Sequence, residues 1–403
     1  MAKKPIRDLT VEEQLARGPV DLPFLTLSML LLGIGLIMMF SASYASAYYD
    51  TDPNVTGPLY YIKRQIIFAV GGLAAMYVIS KINYQTFRAL SMPGIVLSVV
   101  LLLLVFTPLG RAEYDARRWL RLGPVSFQPS EIAKVAIILF FAARLSKRDT
   151  RKPRRFSKRS FLGRFLNFLE KIGFLELIPY GLVLLSVLIP VVFQPHMSGT
   201  ILIVLGAASV LFAAGIHFGW FVAGGTLIGG ALWFIITQTP YMTSRITLWL
   251  DPWTDPQGKG FQTIQSLLAI GSGGLLGLGL GNSRQKFLYI PEPENDFVFP
   301  IVAEELGFIG AAIVILLFML LILRGYWLAL HARDRFGALT IVGIITLFAV
   351  QVFLNIGVVT NFIPNTGISL PFFSSGGTAL MIQLAQIGVV LSISRQIPAP
   401  RQD

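Results

Sequence analysis

Long apolar runs separated by short polar links make up most of this chain. Ten runs approach the ~20 residues that an α-helix needs to cross a bilayer. They occupy residues 23–42, 65–82, 91–109, 128–145, 177–194, 200–215, 218–237, 299–323, 337–359 and 376–394. The runs are continuous, whereas the strands of a membrane barrel alternate apolar and polar positions. Because only helices and closed barrels satisfy their backbone in lipid, the pattern predicts an all-α polytopic membrane protein, with ten transmembrane helices in one domain over residues 1–403.

Composition agrees with this class. Hydrophobic residues make up 54% of the chain and charged residues 13%, which is too apolar for an ordinary globular domain. The chain has no cysteine, so disulfides and thiolate metal sites are excluded.

Basic residues are concentrated before the first run, in the second, fourth and eighth links, and after the last run. The link at 146–174 is the most basic, and the other positions are Lys3, Lys4, Arg7, Arg17, Lys81, Arg88, Arg324, Arg333, Arg335, Arg395 and Arg401. Because positive charge favours the cytoplasmic side, we expect the tail 1–22, the basic loop 146–174 and both termini to be cytoplasmic. We interpret the basic loop as a topology signal resting on anionic lipid headgroups, so the net charge of +12 needs no nucleic-acid partner.

The longest outward link, residues 237–298, lies between helices 7 and 8, and we expect function to gather there. Residues 262–270 predict a short helix, and the glycine run GSGGLLGLGLG follows at 271–281. Such glycines can let backbone N–H groups approach a phosphate, but their spacing matches neither the P-loop nor the dinucleotide fingerprint. Close packing of helices, or a flexible loop, is the favoured interpretation.

Acidic residues cluster at the end of this link. Glu292, Glu294 and Asp296 precede the eighth run, and Glu304 and Glu305 lie inside it. Asn295 or Asp296 is well placed to cap the helix, and capping alone would explain the polar residues there. If Asp296 opens the helix, Glu304 lies about 80° round the axis and ~12 Å deeper. An acid at that depth normally faces a partner or a polar cavity, so the pair predicts a site that opens outward.

Basic residues in the second outward link break the charge pattern. The sequence places Arg117, Arg118, Trp119 and Arg121 there. Trp119 fits an interfacial anchor, while the Arg118 guanidinium has the geometry to bind a phosphate with two hydrogen bonds.

Three further polar residues lie in or beside apolar runs. Glu131 and Lys134 are three positions apart in the fourth run, where mutual pairing and a functional role are about equally supported. His196 follows the fifth run, and we interpret it as a packing or hydrogen-bonding residue rather than a ligand.

Four motifs together resemble a known family. They are WLRLGPVSFQPSEIAK, DPWTDPQGKGFQTIQSLLAIGSGG, NSRQKFLYIPEPENDFVFPIVAEELG and TGISLPFFSSGGTAL. Together they are similar to the SEDS proteins (shape, elongation, division and sporulation) along nearly the whole chain. The stretches GLGNSRQKFLYIPEP and SLPFFSSGGTAL resemble the FtsW/SpoVE branch, which serves division and sporulation, more than the RodA branch, which serves elongation.

The resemblance implies a function and a set of site residues. It implies a ten-span peptidoglycan glycosyltransferase of the bacterial cytoplasmic membrane, which polymerises lipid II beside a class B penicillin-binding protein, a transpeptidase. The family's essential outward aspartate falls on Asp296 and its later acid on Glu304. The tryptophan and arginine of the second outward link fall on Trp119 and Arg118, and the embedded Glu-x-x-Lys on Glu131 and Lys134. The sequence departs from the family at Glu294 and Asn295, where histidine and threonine are common, and at Ser375, where tyrosine is common.

The residues fit this chemistry. Asp296 would be the general base that deprotonates the acceptor hydroxyl. Arg118, Lys286 and Arg284 are candidate contacts for the pyrophosphate of the donor, with a merely solvated position as the alternative for Arg284 and Lys286. A divalent cation, Mg²⁺ or Mn²⁺, is compatible with the reaction, but the sequence shows no closed ligand set. Two alternatives to the enzyme stay open from the residues alone: a flippase for the lipid-linked precursor that uses Glu131, Lys134 and Glu304 as a path, and a non-catalytic division scaffold. Within the resemblance, the alternative to the division branch is a RodA-type elongation polymerase.

Overall fold

The computed structural model describes residues 18–397, except for 51–54, 56, 114–115, 123–124, 149–163, 165–166, 168–169, 171–172, 195, 239, 259 and 288. Most of the basic loop 146–174 and residues 1–17 of the tail 1–22 therefore lie outside the described residues.

Helices account for most of the described chain. They are α1 (Leu22–Tyr49), α2 (Tyr60–Lys81), α3 (Gln85–Leu104), α4 (Pro129–Leu145), α5 (Phe174–Phe193), α6 (Met197–Ala213), α7 (Gly219–Gln238), α8 (Pro240–Leu250), α9 (Phe261–Ser272), α10 (Val298–Leu330), α11 (Arg335–Val359) and α12 (Gly377–Ser394). Each of the ten apolar runs overlaps one helix. The other two, α8 and α9, lie in the link between the seventh and eighth runs, and α9 confirms the short helix predicted there.

Seven of these helices are long and apolar enough to cross a membrane: α1, α2, α3, α5, α10, α11 and α12. Helix α6 is apolar but shorter, with 17 residues. Seven apolar helices are each long enough to span the hydrocarbon core of a bilayer. The chain is therefore a polytopic α-helical membrane protein.

The second outward link contains β-structure, so the all-α prediction is wrong in this detail. Strands β1 (Gly110–Glu113), β2 (Ala116–Leu122) and β3 (Val125–Phe127) form an antiparallel sheet in the order β1-β2-β3. Along β2, Arg117 and Arg121 are exposed while Leu120 is buried. This alternation of exposed and buried side chains is typical of a strand with one covered face. It does not produce a long apolar run in the sequence.

Helices α2 and α12 pack closely along their lengths. Small residues make this possible: a Cβ on Gly72 would lie 2.6 Å from Leu384 Cδ1, and one on Gly388 would lie 2.8 Å from Met76 O. Close backbone approach at small residues is a common way for helices to associate in lipid.

Polar contacts at one end of the bundle join the two ends of the described chain and every second link. At this end Arg324 pairs with Asp21, Arg395 donates to the carbonyl of Gly18, the Tyr84 hydroxyl donates to Asp334 at 2.8 Å, Arg88 donates to Ser146, and Arg148 and Arg335 both donate to the carbonyl of Ala214. These are the two ends of the described chain and the links that the alternation of spans predicts to be cytoplasmic.

Contacts at the opposite end join the remaining links. There Ser46 donates to Glu294, Arg64 to Ser126, Arg118 to the carbonyl of Gln194, Asn361 to the carbonyl of Trp249, and Asn365 to Gln262. The five links at this end are those predicted to face outward.

Helix α10 is interrupted at Gly307, whose φ of 69° and ψ of −173° are not helical. The glycine run lies against this interruption. The N–H groups of Leu278 and Gly279 donate to the carbonyls of Glu304 and Glu305 at 3.0 Å each, and Phe308 N–H donates back to Gly274 at 2.8 Å.

The glycines permit this contact. A Cβ on Gly273 would collide with the carbonyl oxygen of Ala303, and one on Gly277 with that of Glu305. Close backbone packing, one of the two interpretations favoured from the sequence, is confirmed. The N–H groups of Leu278 and Gly279 are occupied by carbonyls rather than left facing a phosphate.

Candidate functional site

Asp296 lies in the loop that enters α10, and it does not cap the helix. The helix begins at Val298 with Phe297 as its N-cap, and this cap makes no side-chain hydrogen bond. Asn295 is engaged elsewhere, because its Nδ2 donates to Glu292 Oε2 at 2.8 Å. The capping explanation of these polar residues is therefore wrong. The helical spacing between Asp296 and Glu304 is wrong as well, since Asp296 precedes the helix.

The loop holds Asp296 from two other segments. Asn355 of α11 donates from Nδ2 to the backbone carbonyl of Asp296 at 2.8 Å. On the other side, Asp296 Oδ2 faces Gly367, since a Cβ built there would lie 3.5 Å away. The carboxylate also accepts its own backbone N–H. Its side chain is mostly enclosed but keeps a partly exposed surface.

The surroundings of Asp296 favour its protonated form. Burial is the main cause, and the neighbouring charges of Glu292 and Glu294 add to it, so that the pKa of Asp296 rises to about 7. Burial likewise raises the pKa of Glu294, although Ser46 of α1 donates to that carboxylate at 3.0 Å. A carboxyl group with a pKa near neutral pH can both accept and release a proton under physiological conditions.

Glu304 lies at a second position, about two turns into α10, and is fully buried. Its carboxylate accepts from the Ser283 hydroxyl, from the backbone N–H of Arg284 at 3.0 Å and from that of Gln285 at 3.4 Å. The Ser272 hydroxyl lies 3.4 Å away. These contacts fix the chain after the glycine run. Lys134, a buried basic residue of α4, pairs with Glu131 rather than with Glu304.

Lys286 is buried beside Glu305 rather than exposed to the outer solvent. Its ammonium lies 3.0 Å from Glu305 Oε1, 3.1 Å from the Ser41 hydroxyl and 2.6 Å from the carbonyl of Gly281. Three acceptors match the three N–H groups of an ammonium. Arg284, two residues earlier, is exposed.

A third polar group lies between the small sheet, α4 and the start of α6. Lys134 Nζ is 2.8 Å from Glu131 Oε1, so the predicted mutual pairing is confirmed. His196 is buried, and Gln128 Nε2 approaches its ring at 3.2 Å. Burial, together with the charges of Arg118 and Lys134, lowers the pKa of His196 to about 3. His196 is thus a neutral hydrogen-bonding residue, as expected.

Arg118 and Trp119 lie on β2, and both are partly exposed. Arg118 Nε donates to the carbonyl of Gln194 at 3.3 Å. Trp119 pairs in register with Arg111 of β1.

The site residues therefore fall into three groups. Asp296 lies with Glu292 and Glu294, Lys286 lies with Glu304 and Glu305, and Arg118 lies with His196 and the Glu131–Lys134 pair. Within the part of the chain that the structure describes, no group of three or more His, Cys, Asp or Glu is placed to hold a metal ion.

Several buried amides at the site were missed by the sequence reasoning. Asn355 contacts the Asp296 loop, and two glutamines hold the loop before α12. Gln65 of α2 donates to the carbonyl of Ser374 at 3.1 Å, and Gln383 of α12 accepts from Phe372 N–H at 3.0 Å. Their signal was present, because an uncharged amide inside an apolar run also needs a partner in lipid.

Comparison with known proteins decides the family. A family profile described as FTSW_RODA_SPOVE, cell cycle protein, matches residues 22–398. The chain belongs to the FtsW/RodA/SpoVE family. The resemblance drawn from the four motifs is thereby confirmed.

Relatives within the FtsW/RodA/SpoVE family match along almost the whole chain. Stage V sporulation protein E of Bacillus subtilis is 42% identical over 377 residues, which is 93% of this chain and 97% of the relative. A probable peptidoglycan glycosyltransferase FtsW of Geobacter metallireducens is 37% identical over 381 residues, covering 94% and 95%. A chain from a solved peptidoglycan synthase complex, described as coordinating polymerization and crosslinking, superposes with a TM-score of 0.72 at 30% identity and covers 95% of this chain and 99% of its own.

Proposed function

We propose that this protein is a peptidoglycan glycosyltransferase that polymerises lipid II at the outer face of the bacterial cytoplasmic membrane, in septal or sporulation cell-wall synthesis. The observation that carries the proposal is the match to relatives named for this activity or for sporulation, at 37–42% identity over 93–94% of the chain. The enclosed carboxylate of Asp296 supplies a base for it.

The proposed topology has ten membrane spans, with both termini in the cytoplasm and residues 237–298 outside. The separation of contacts supports it, because the two sets of links meet at opposite ends of the bundle. A chain that crosses the membrane at each of the ten apolar helices produces this arrangement. Asp296 then lies at the outer end, where it is close to an external polymer.

Asp296 acts as the general base. Its carboxylate takes the proton from the acceptor's sugar hydroxyl while that oxygen forms a bond to the anomeric carbon of the donor. The bond from this carbon to the lipid pyrophosphate breaks, and the pyrophosphate leaves with the electron pair. One carboxylate suffices for such an inverting displacement, and burial keeps the pKa of Asp296 near the working pH.

Positive groups at the outer end stabilise the departing pyrophosphate. Arg118 and the exposed Arg284 are the proposed contacts, with Trp119 beside Arg118. Lys286 was an equal candidate from the sequence, but its ammonium is engaged by three protein acceptors, so we assign it to the buried ion pair. The Glu131–Lys134 ion pair is proposed to line the inner side of the group that contains Arg118.

A divalent cation, Mg²⁺ or Mn²⁺, would add charge at the pyrophosphate. Such ions are often held largely by substrate phosphates and water, so the donor's pyrophosphate would supply the main ligands. The proposed protein partner is a class B penicillin-binding protein, because the matching chain of known structure comes from a synthase complex that joins polymerization to crosslinking. The surrounding partners are membrane lipids.

The flippase alternative has less support. It needs Glu131, Lys134 and Glu304 as a polar path, yet Glu131 and Lys134 pair with each other and Glu304 binds the chain at 283–285. An elongation role is the closer alternative, since it uses the same chemistry.

The deciding experiment supplies lipid II to the purified protein, with and without its transpeptidase partner, and measures glycan strands. The parent should form strands, whereas Asp296→Asn should be folded, inserted and slower by ~10²–10⁴-fold, the usual contribution of a general base. Asp255→Asn, an exposed acid in the same outward link, is the matched control and should keep parental turnover. Parental turnover in Asp296→Asn would end the assignment of the base.

A further inference from the structure

Asn355 is a buried amide in the membrane-embedded helix α11, with 1% of its surface exposed. Its Nδ2 donates two hydrogen bonds, one to the carbonyl of Asp296 at 2.8 Å and one to the carbonyl of Ile368 at 2.7 Å. These carbonyls belong to two different segments, the loop before α10 and the loop before α12. A single side chain therefore joins them.

The orientation of this amide is fixed by its partners. Both partners are carbonyl oxygens, which accept hydrogen bonds and cannot donate them, so the amide nitrogen must face them. The amide oxygen, Oδ1, is buried and has no hydrogen-bond partner among the described residues. An unpaired buried acceptor is unfavourable, so the two donated bonds determine how Asn355 is placed.

The loop before α12, which contains Gly367 and Ile368, faces the carboxylate of Asp296. Gly367 adjoins Ile368, and a Cβ built on it would lie 3.5 Å from Asp296 Oδ2. Gly367 has a φ of 66°, a conformation that side-chain-bearing residues rarely adopt, and its N–H donates to Asn365 Oδ1 at 3.1 Å. Asn355 thus fixes the backbone of Asp296 and the backbone of the wall opposite its carboxylate.

We infer that Asn355 is a positioning residue for the reaction, which holds the Asp296 loop and the 365–368 loop in register so that the carboxylate stays in its enclosed position. The inference rests on the proposed function, and it assigns no contact between Asn355 and substrate. A misplacement of about 1 Å can cost roughly 10²-fold in rate, so loss of the two bonds should act on turnover.

The test compares Asn355→Ala with the parent in lipid II polymerisation. We expect kcat to fall by about 10- to 100-fold, while KM changes little because substrate contacts are retained. The acid side of the pH profile should also move down by about half a unit or more, because a loosened loop lets water reach Asp296. Glu292 and Glu294 are the charged groups that act on Asp296 from its own loop, and both stay in place in this variant.

Gln383→Ala is the matched control, because it also removes a buried amide that holds the loop before α12, at Phe372. It should lower thermal stability about as much as Asn355→Ala but leave the pH profile at its parental position. Asn355→Ser keeps one donor for one of the two carbonyls and should lose less activity than alanine. The serine variant carries the test if the alanine variant does not fold.

Two results would overturn the inference. One is parental kcat and pH profile in folded Asn355→Ala or Asn355→Ser. The other is an equal shift of the pH profile in Gln383→Ala, which would show that any loosening of the loop has this effect. Failure of the proposed function looks different, because the parent itself would then form no glycan strands from lipid II.

Discussion

Lys286 and Glu305 form a buried ion pair, with 3.0 Å between Nζ and Oε1 and 4% and 0% of their side chains exposed. The Ser41 hydroxyl of α1 donates to both carboxylate oxygens of Glu305, at 2.7 and 2.8 Å. The pair therefore ties the chain after the glycine run to α10 and α1.

Removing one member of this pair should destabilise the protein. Lys286→Met leaves Glu305 buried without its counter-charge, which typically costs about 3–5 kcal/mol. Thermal unfolding in detergent measures the loss. Arg284→Ala is the control, since an exposed side chain usually changes stability by about 0.5 kcal/mol or less. Parental stability with lost polymerisation in Lys286→Met would instead make the lysine a substrate contact.

Polymerisation should depend on pH through Asp296. Its pKa is raised to about 7 by burial, so the carboxylate is largely protonated below that pH and ionised above it. A base must be ionised to accept a proton, so kcat/KM should rise as pH increases through about 7. Initial rates between pH 5.5 and 8.5 test this, and a flat profile below pH 7 would contradict it.

The Asp296 carboxylate should make the folded protein less stable as the pH rises from acid to neutral. Its folded pKa lies above the ordinary value of 3.8, so the folded state holds the proton more tightly than the unfolded state. Stability from this group is present at low pH and declines as pH rises from about 4 through about 7. Asp296→Asn removes the ionisation, so the parent should lose stability relative to this variant over that range. Parallel stability curves for the two proteins would refute the burial argument.

The interruption of α10 should tolerate no side chain at Gly307. Its φ of 69° is strained for alanine, and a Cβ there would collide with the backbone of Leu275 and Gly277. We expect Gly307→Ala to lose more than about 1–3 kcal/mol. Gly271→Ala is the control, because that glycine lies in α9 with nothing within 4 Å of a Cβ, and alanine is the better helix former.

Labelling can test the topology, because the chain contains no cysteine. Asn282→Cys and Arg333→Cys each introduce one thiol at an exposed position, in the links before and after α10. In intact cells an impermeant thiol reagent should modify Asn282→Cys and spare Arg333→Cys. The reverse pattern would invert the orientation, and labelling of both would exclude a span between them.

The sequence was sufficient for features that depend on local pattern. Ten apolar runs predicted ten helices, and the Glu131–Lys134 spacing indicated a pair as one of its two interpretations. It was insufficient where contacts are remote: Glu305 meets Ser41 across 264 positions, and no periodicity in the sequence indicates this. The cap at Asn295 or Asp296 failed because the helix begins further along, at Val298 with Phe297 as its N-cap, so neither side chain stands at the capping position. The sheet around Arg118 was missed because its strands are too short to give an apolar run.

The pairing of α2 with α12 has a consequence for how the protein is made. Gln65 of α2 binds the carbonyl of Ser374, 309 residues further along the chain. A ribosome delivers α2 to the membrane early, with its amide and its small-residue face uncovered, and α12 follows after every other helix described here. Contacts between such distant segments form late and slowly. The bundle is thus completed by its last helix, and until then the nascent protein exposes to lipid a polar face that the finished one conceals.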